Sequence, residues 1–188
     1  YIIVIAISIK LAIAPTHIWI PKIIRTINWN NRIILMTWQK IIPMFIIIKS
    51  NIRIIILLSI ISISIGATSQ INIINSKIIV AYSSISHLGW ILIIRLRNFI
   101  IPVIYLIMYS ILVIIIIHIF KNFNIIKINK LNIKSRINIV MLIILSIAGI
   151  PPLLGFFPKW ITLKEILNNL NGIWGFLFYS CFFKALNK

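Results

Sequence analysis

Three lysines, Lys10, Lys40 and Lys159, stand in stretches that are otherwise almost wholly apolar. An ammonium group in hydrocarbon costs on the order of 3 kcal/mol on insertion scales, and the residues that bear this cost usually mark ion or proton pathways. Lys10 lies five residues before Pro15, Lys40 has apolar runs at 33–36 and 41–48 on either side, and Lys159 sits between Pro158 and Trp160. Burial and a nearby second cation both make an ammonium easier to deprotonate. A row of such lysines can therefore hold and pass protons. The plain alternative is that each lies nearer a helix end and snorkels to the headgroups. Trp38 lends that reading some weight for Lys40, because tryptophan marks the membrane interface.

Few other side chains could share this work. Glu165, six residues after Lys159, is the one acid in the chain and could pair with Lys159 or Lys164 on the same half-helix, or be an ordinary exposed carboxylate. His17 follows Pro15, and His87 follows the serines at 83, 84 and 86; both have polar neighbours that could form a water-bearing path. His118, near the end of an apolar run, reads as a histidine hydrogen-bonded between helices. No histidine pair has the spacing of a metal or haem site. The serines lack an accompanying acid and base, so they read as helix-packing residues. With Cys181 as the one cysteine there is neither an internal disulfide nor a cysteine cluster.

The elements that must position these residues are transmembrane helices. The 188 residues are 61% hydrophobic and 11% charged, with a mean hydropathy of +1.12. A soluble domain carries roughly a quarter charged residues. Net charge is +18, from 19 Lys and Arg against one acid. These cations lie mostly between apolar runs, where anionic headgroups would hold them; the pattern argues for partnership with the lipid bilayer and against nucleic acid. Isoleucine dominates, and asparagine and lysine are abundant, as A/T-rich codons of an organellar genome would favour. The chain opens within an apolar run without Met, so it is expected to belong to a longer protein, with sequence missing at the start and at the end.

A span needs roughly 20 apolar residues. The expected segments are 1–20, broken at Pro15; 33–48, containing Lys40 and Pro43; 54–74; 78–94; 99–120; one from 139, broken at 149–152 and resuming at 156–160; and a last run at 173–186. An amphipathic connector is expected at 28–32 and the longest loop at 121–138. The expectation is an all-α polytopic bundle of about seven spans, a single transmembrane domain over 1–188. Pro15 and Pro21 are six apart and followed by Lys22; Pro152 and Pro158 are six apart and followed by Lys159. Helices interrupted at matching positions of two halves point to an inverted-repeat transport site, because backbone groups freed by a break are tolerated only beside a polar cavity.

Four motifs carry a resemblance. They are Lys10-Leu-Ala-Ile-Ala-Pro15-Thr-His17-Ile-Trp19-Ile-Pro21, Thr37-Trp38-Gln39-Lys40-Ile-Ile-Pro43, Ala81-Tyr82-Ser83-Ser84-Ile-Ser86-His87-Leu-Gly89-Trp90, and Gly149-Ile-Pro151-Pro152-Leu-Leu-Gly155-Phe156-Phe157-Pro158-Lys159-Trp160. In this order the chain resembles the family of NADH dehydrogenase subunit 2, the mitochondrially encoded antiporter-like subunits of respiratory complex I. The resemblance implies antiporter-like inverted repeats, a hydrated row made by Lys10, Lys40 and Lys159, and proton translocation coupled to quinone reduction elsewhere in the complex. It implies the mitochondrial inner membrane, and the other membrane subunits of complex I as partners. It also implies no cofactor in this chain, with NADH, FMN, iron–sulfur clusters and ubiquinone belonging to the rest of the complex. The chain departs from the pattern at Lys22, where the family usually has an acid. It also departs in lacking the helix whose glutamate pairs with the lysine at position 10, and in its shortened C-terminal spans. A stand-alone cation/proton antiporter subunit and a non-catalytic membrane scaffold are the rival readings.

Overall fold

The computed structural model describes residues 2–47, 52–71, 73–94, 100–125, 128, 134–151 and 153–169. The described residues form nine α-helices: α1 (Ile2–Leu11), α2 (Trp19–Thr26), α3 (Trp29–Met36), α4 (Trp38–Ile47), α5 (Ile52–Thr68), α6 (Ser76–Ile94), α7 (Ile100–Asn122), α8 (Lys134–Ala148) and α9 (Phe156–Asn169), with a 3-10 turn at Thr16–Ile18. Three stretches are long and apolar enough to cross a membrane: Ile2–Thr26, Ser76–Ile94 and Ile100–Asn122. Shorter apolar helices cover Arg53–Thr68 and Ile137–Ala148.

The hub is α6. It packs against α5, α2, α7 and α9, and it is buried along nearly its whole length. Such a helix can be apolar all round, because it has no face reserved for water. Small residues let its neighbour approach. A Cβ at Gly89 would stand 2.5 Å from Ser62 Oγ on α5, and one at Gly66 would stand 2.7 Å from the Ser86 backbone nitrogen. The hydroxyls along this seam turn back on their own helices: Ser62 donates to Ser59 O at 2.9 Å, Ser83 to Val80 O at 2.8 Å and Ser84 to Ala81 O at 2.7 Å. The serines thus bury without orphaned donors, which is the packing role their sequence suggests.

Two of the expected elements differ. Residues 28–32 are not a connector: Asn28, extended at the N-cap, opens helix α3 at Trp29, as a residue type favoured at that position. The second span is therefore two helices meeting at Thr37, whose hydroxyl and amide both donate to Ile33 O, at 2.8 and 3.0 Å. Such back-bonding bends a helix. The expected long loop is likewise shortened, since α8 starts at Lys134. The run at 173–186 and Cys181 lie outside the described residues.

Both expected breaks are present, and they share a hydrogen-bonding scheme. After α1, Ala12 takes a left-handed φ of 54°, Ile13 N–H donates to Ser8 O at 3.0 Å and Thr16 N–H donates to Ile13 O at 2.9 Å. After α8, Gly149 takes φ 81°, Ile150 N–H donates to Leu145 O at 3.3 Å and Leu153 N–H donates to Ile150 O at 3.0 Å. Each helix thus ends in a left-handed residue with a bond back across the last turn, the Schellman closure that satisfies terminal carbonyls. Pro21 and Pro158 then occupy the third position of α2 and α9, in the first turn where a missing N–H costs nothing. The likeness is one of bonding as well as of proline spacing, although Pro152 lies outside the described residues.

Candidate proton-transfer site

Lys40 lies on α4, 4% exposed. Pro43, also inside α4, cannot donate to the carbonyl four residues back. Lys40 Nζ makes a long 3.5 Å hydrogen bond to the Tyr109 hydroxyl and stands 5.3 Å from the centroid of its ring. An ammonium beside an aromatic face and a phenol oxygen keeps part of the stabilisation it loses on leaving water.

Tyr109 leads on to α6. The His87 ring is 5.1 Å from that of Tyr109, and His87 Nδ1 is 2.8 Å from the hydroxyl of Tyr105. Tyr105 and Tyr109 are four residues apart on α7 and so share one face. His87 is 1% exposed, lies within electrostatic reach of both Lys159 and Lys40, and its Nε2 has no hydrogen-bond partner. Tyr105 also lines, with Pro158 and Ile161, the crevice between α7 and α9.

Lys159 follows in the first turn of α9, 7% exposed. Its Nζ donates to Ile147 O at 3.1 Å and to Ala148 O at 2.9 Å. These are carbonyls at the C-terminal end of α8, where the helix dipole favours a cation. Gly149 makes the room: a Cβ there would stand 2.9 Å from Lys159 Cδ and 3.1 Å from Nζ. The second break thus positions the lysine directly.

The other expected residues are placed differently. Lys10, in the last turn of α1, is exposed on this chain rather than buried. It still joins Lys40, Gln39, Trp19, Ile20 and Leu35 around a cavity of about 90 Å³, room for a few waters. Trp19 fixes that wall by donating its indole N–H to Ile9 O at 2.9 Å. His17, half-buried in the 3-10 turn, has an unpartnered Nδ1 and faces Tyr82 at 6.2 Å between ring centroids. It is not brought to His87. His118 is exposed near the end of α7. Glu165 is half-exposed on α9; six residues turn a helix by about 240°, so it points away from the face that carries Lys159, while Lys164 Nζ lies 5.4 Å over the Trp160 ring. Among the described residues no three His, Cys, Asp or Glu side chains come together as a metal site would require.

The structure therefore joins Lys10 and Lys40 through a cavity and Lys40 and His87 through Tyr109, and it sets Lys159 on α9, which packs against α6 and α7. Tyr105 and Tyr109 escaped the sequence reading. Their signal was a pair of hydroxyls at helical spacing within an apolar run.

The chain matches, over residues 1–184, the family described as NADH:quinone oxidoreductase/Mrp antiporter, transmembrane. It is 37% identical over 164 residues to NADH-ubiquinone oxidoreductase chain 2 of Anopheles gambiae, covering 84% of this chain and 48% of that protein. With the chain 2 protein of Polypterus ornatipinnis identity is 40%, covering 87% and 50%, and with that of Mus musculus 37%, covering 87% and 50%. The chain thus spans about half the length of these relatives. Its fold is similar to a chain of respiratory complex I from Thermus thermophilus solved with bound aureothin, at a TM-score of 0.73 and 21% identity, covering 88% of this chain and 42% of that one. With two interrupted helices and apolar helices throughout, the chain is a multi-pass membrane protein and belongs to the NADH:quinone oxidoreductase/Mrp antiporter family.

Proposed function

We propose that this chain forms part of a proton-translocating subunit of respiratory NADH:ubiquinone oxidoreductase in the mitochondrial inner membrane. In this reading, electron transfer from NADH to ubiquinone occurs in other subunits, which hold the FMN and iron–sulfur clusters, and drives proton movement through this one. The carrying observation is the buried sequence Lys40, Tyr109, His87 and Lys159 across four helices. A lysine accepts and releases one proton, a neutral imidazole can take a proton on one nitrogen and give one from the other, and a phenol can bridge the two. Protons entering at Lys10 would reach Lys40 through the shared cavity, with water completing the steps between residues. The names of the relatives support the redox partner, the codon-biased composition supports the organelle, and the lysines support the proton.

Two measurements test the reading. Mildly solubilised organelle membranes are separated on a native gel, probed for a peptide of this chain and stained for NADH oxidation. Co-migration in a very large NADH-oxidising band is expected; a small species lacking that activity would favour the stand-alone antiporter. In the complete subunit, Lys40→Met is expected to abolish most coupled proton transfer while the complex still assembles. Normal pumping would favour the scaffold.

A further inference from the structure

A second group of cations lies where α2 ends, α3 and α6 begin and α7 ends, and proton transfer does not use it. Arg32 is fully buried. Its guanidinium lies 4.2 Å over the Trp29 ring, and Nη2 donates to Ile24 O at 3.1 Å and Ile27 O at 2.7 Å. Its Nε and Nη1 are buried with no hydrogen-bond partner. Lys77 Nζ stands 5.3 Å from the same indole and makes a long 3.5 Å bond to Arg25 O, while Lys121 Nζ donates to Asn30 Oδ1 at 2.9 Å. Arg25 itself is exposed in the last turn of α2. Arg32 and Lys77 repel one another, and the one acid of the chain, Glu165, is on α9.

A guanidinium stays charged at neutral pH. Walled in by packing, it is a fixed positive charge that salt screens poorly. Around it, Arg25 and Lys121 are exposed and Lys77 is half-exposed. Helix α6 also opens here, with the positive end of a 19-residue helix. Arg25, Lys77 and Lys121 lie in terminal turns of α2, α6 and α7, and Arg32 and Lys77 both stand over Trp29, a residue type that marks the depth at which lipid headgroups lie. Among the described residues the acceptors in this group are carbonyls and an amide oxygen, and none of them cancels a full charge.

We propose that Arg25, Lys77 and Lys121, backed by the buried Arg32, form a binding site for the phosphate of an anionic phospholipid headgroup. The arrangement suits a phosphodiester held by long exposed cations from three helices, with the acyl chains running down the apolar flank of the bundle. It is independent of the proton row, and it accounts for a buried guanidinium in a chain almost without acids.

The test uses the native membrane complex containing the full chain, treated with an anionic phospholipid that carries a photoactivatable group on its headgroup. Capture is read on peptides of this chain, so the result does not depend on its role in pumping. Label is expected near Trp29 and Lys77. The Arg25→Gln/Lys77→Gln variant is expected to retain the lipid roughly 30-fold more weakly, and Lys77→Arg to retain it as before. A zwitterionic lipid of the same acyl chains should label weakly and equally in both variants, and excess inorganic phosphate should not compete. Equal capture of the two lipids, displacement by inorganic phosphate, loss in Lys77→Arg, or crosslinking to a neighbouring polypeptide instead would each overturn the proposal.

Discussion

At the scale of single residues, the site separates two ways of burying an ammonium group. Lys40 rests against a phenol, and Lys159 against backbone carbonyls. The difference is open to mutation. Tyr109→Phe keeps the ring near Lys40 but removes the hydroxyl, and a hydrogen bond of this kind is worth about 1 kcal/mol. The ratio of protons pumped to NADH oxidised should fall severalfold in reconstituted vesicles, and an unchanged ratio would remove Tyr109 from the path. Lys40, Lys159 and His87 were legible in the sequence because a polar group in an apolar span is costly and needs a reason. The two tyrosines were not, since tyrosine is at home in such spans and nothing in the sequence says that their face of α7 meets α6. The exposure of Lys10 was also hidden: apolar neighbours in sequence do not specify neighbours in space.

At the scale of elements, glycines set the spacing between polar groups. Gly149→Ala would combine a strained left-handed backbone with a Cβ against the Lys159 chain, for a cost of about 1–3 kcal/mol. Lower thermal stability of the solubilised complex and impaired pumping are expected together. Gly149→Asn separates the causes, because asparagine tolerates the left-handed region but still brings a Cβ; equal damage from both variants would assign the effect to the clash. In the α5–α6 seam, Gly89→Ala should lower the yield of assembled complex by overpacking, again about 1–3 kcal/mol. Adding Ser62→Gly should restore part of it, and failure of the double variant to recover would place the clash elsewhere. The broken helices were legible from paired prolines, whereas the start of α3 was missed. Its first turn is polar, and a polar first turn looks like a connector until Asn28 is recognised as a cap.

At the scale of the whole molecule, packing and the candidate proton-transfer residues converge on one helix. Because α6 is enclosed by α5, α2, α7 and α9, its amides should exchange with deuterium more slowly than those of α1 or α4 when the complex is followed by mass spectrometry. Faster exchange in α6 would contradict its place at the centre. The enclosure also bears on how such a gene can drift. On α1, α4 and α5 many side chains point away from the bundle, among them Ile2, Ile42 and Leu57, and any apolar residue of similar size satisfies an open face. There, mutational bias can write isoleucine almost without resistance. Along α6, glycine, serine and histidine are each fixed by a neighbour at contact distance, and a change of one methylene is felt. Even on α6 the apolar positions share that slack, six of them being isoleucine; its glycine, serines and histidine are the letters that codon bias has not been free to rewrite.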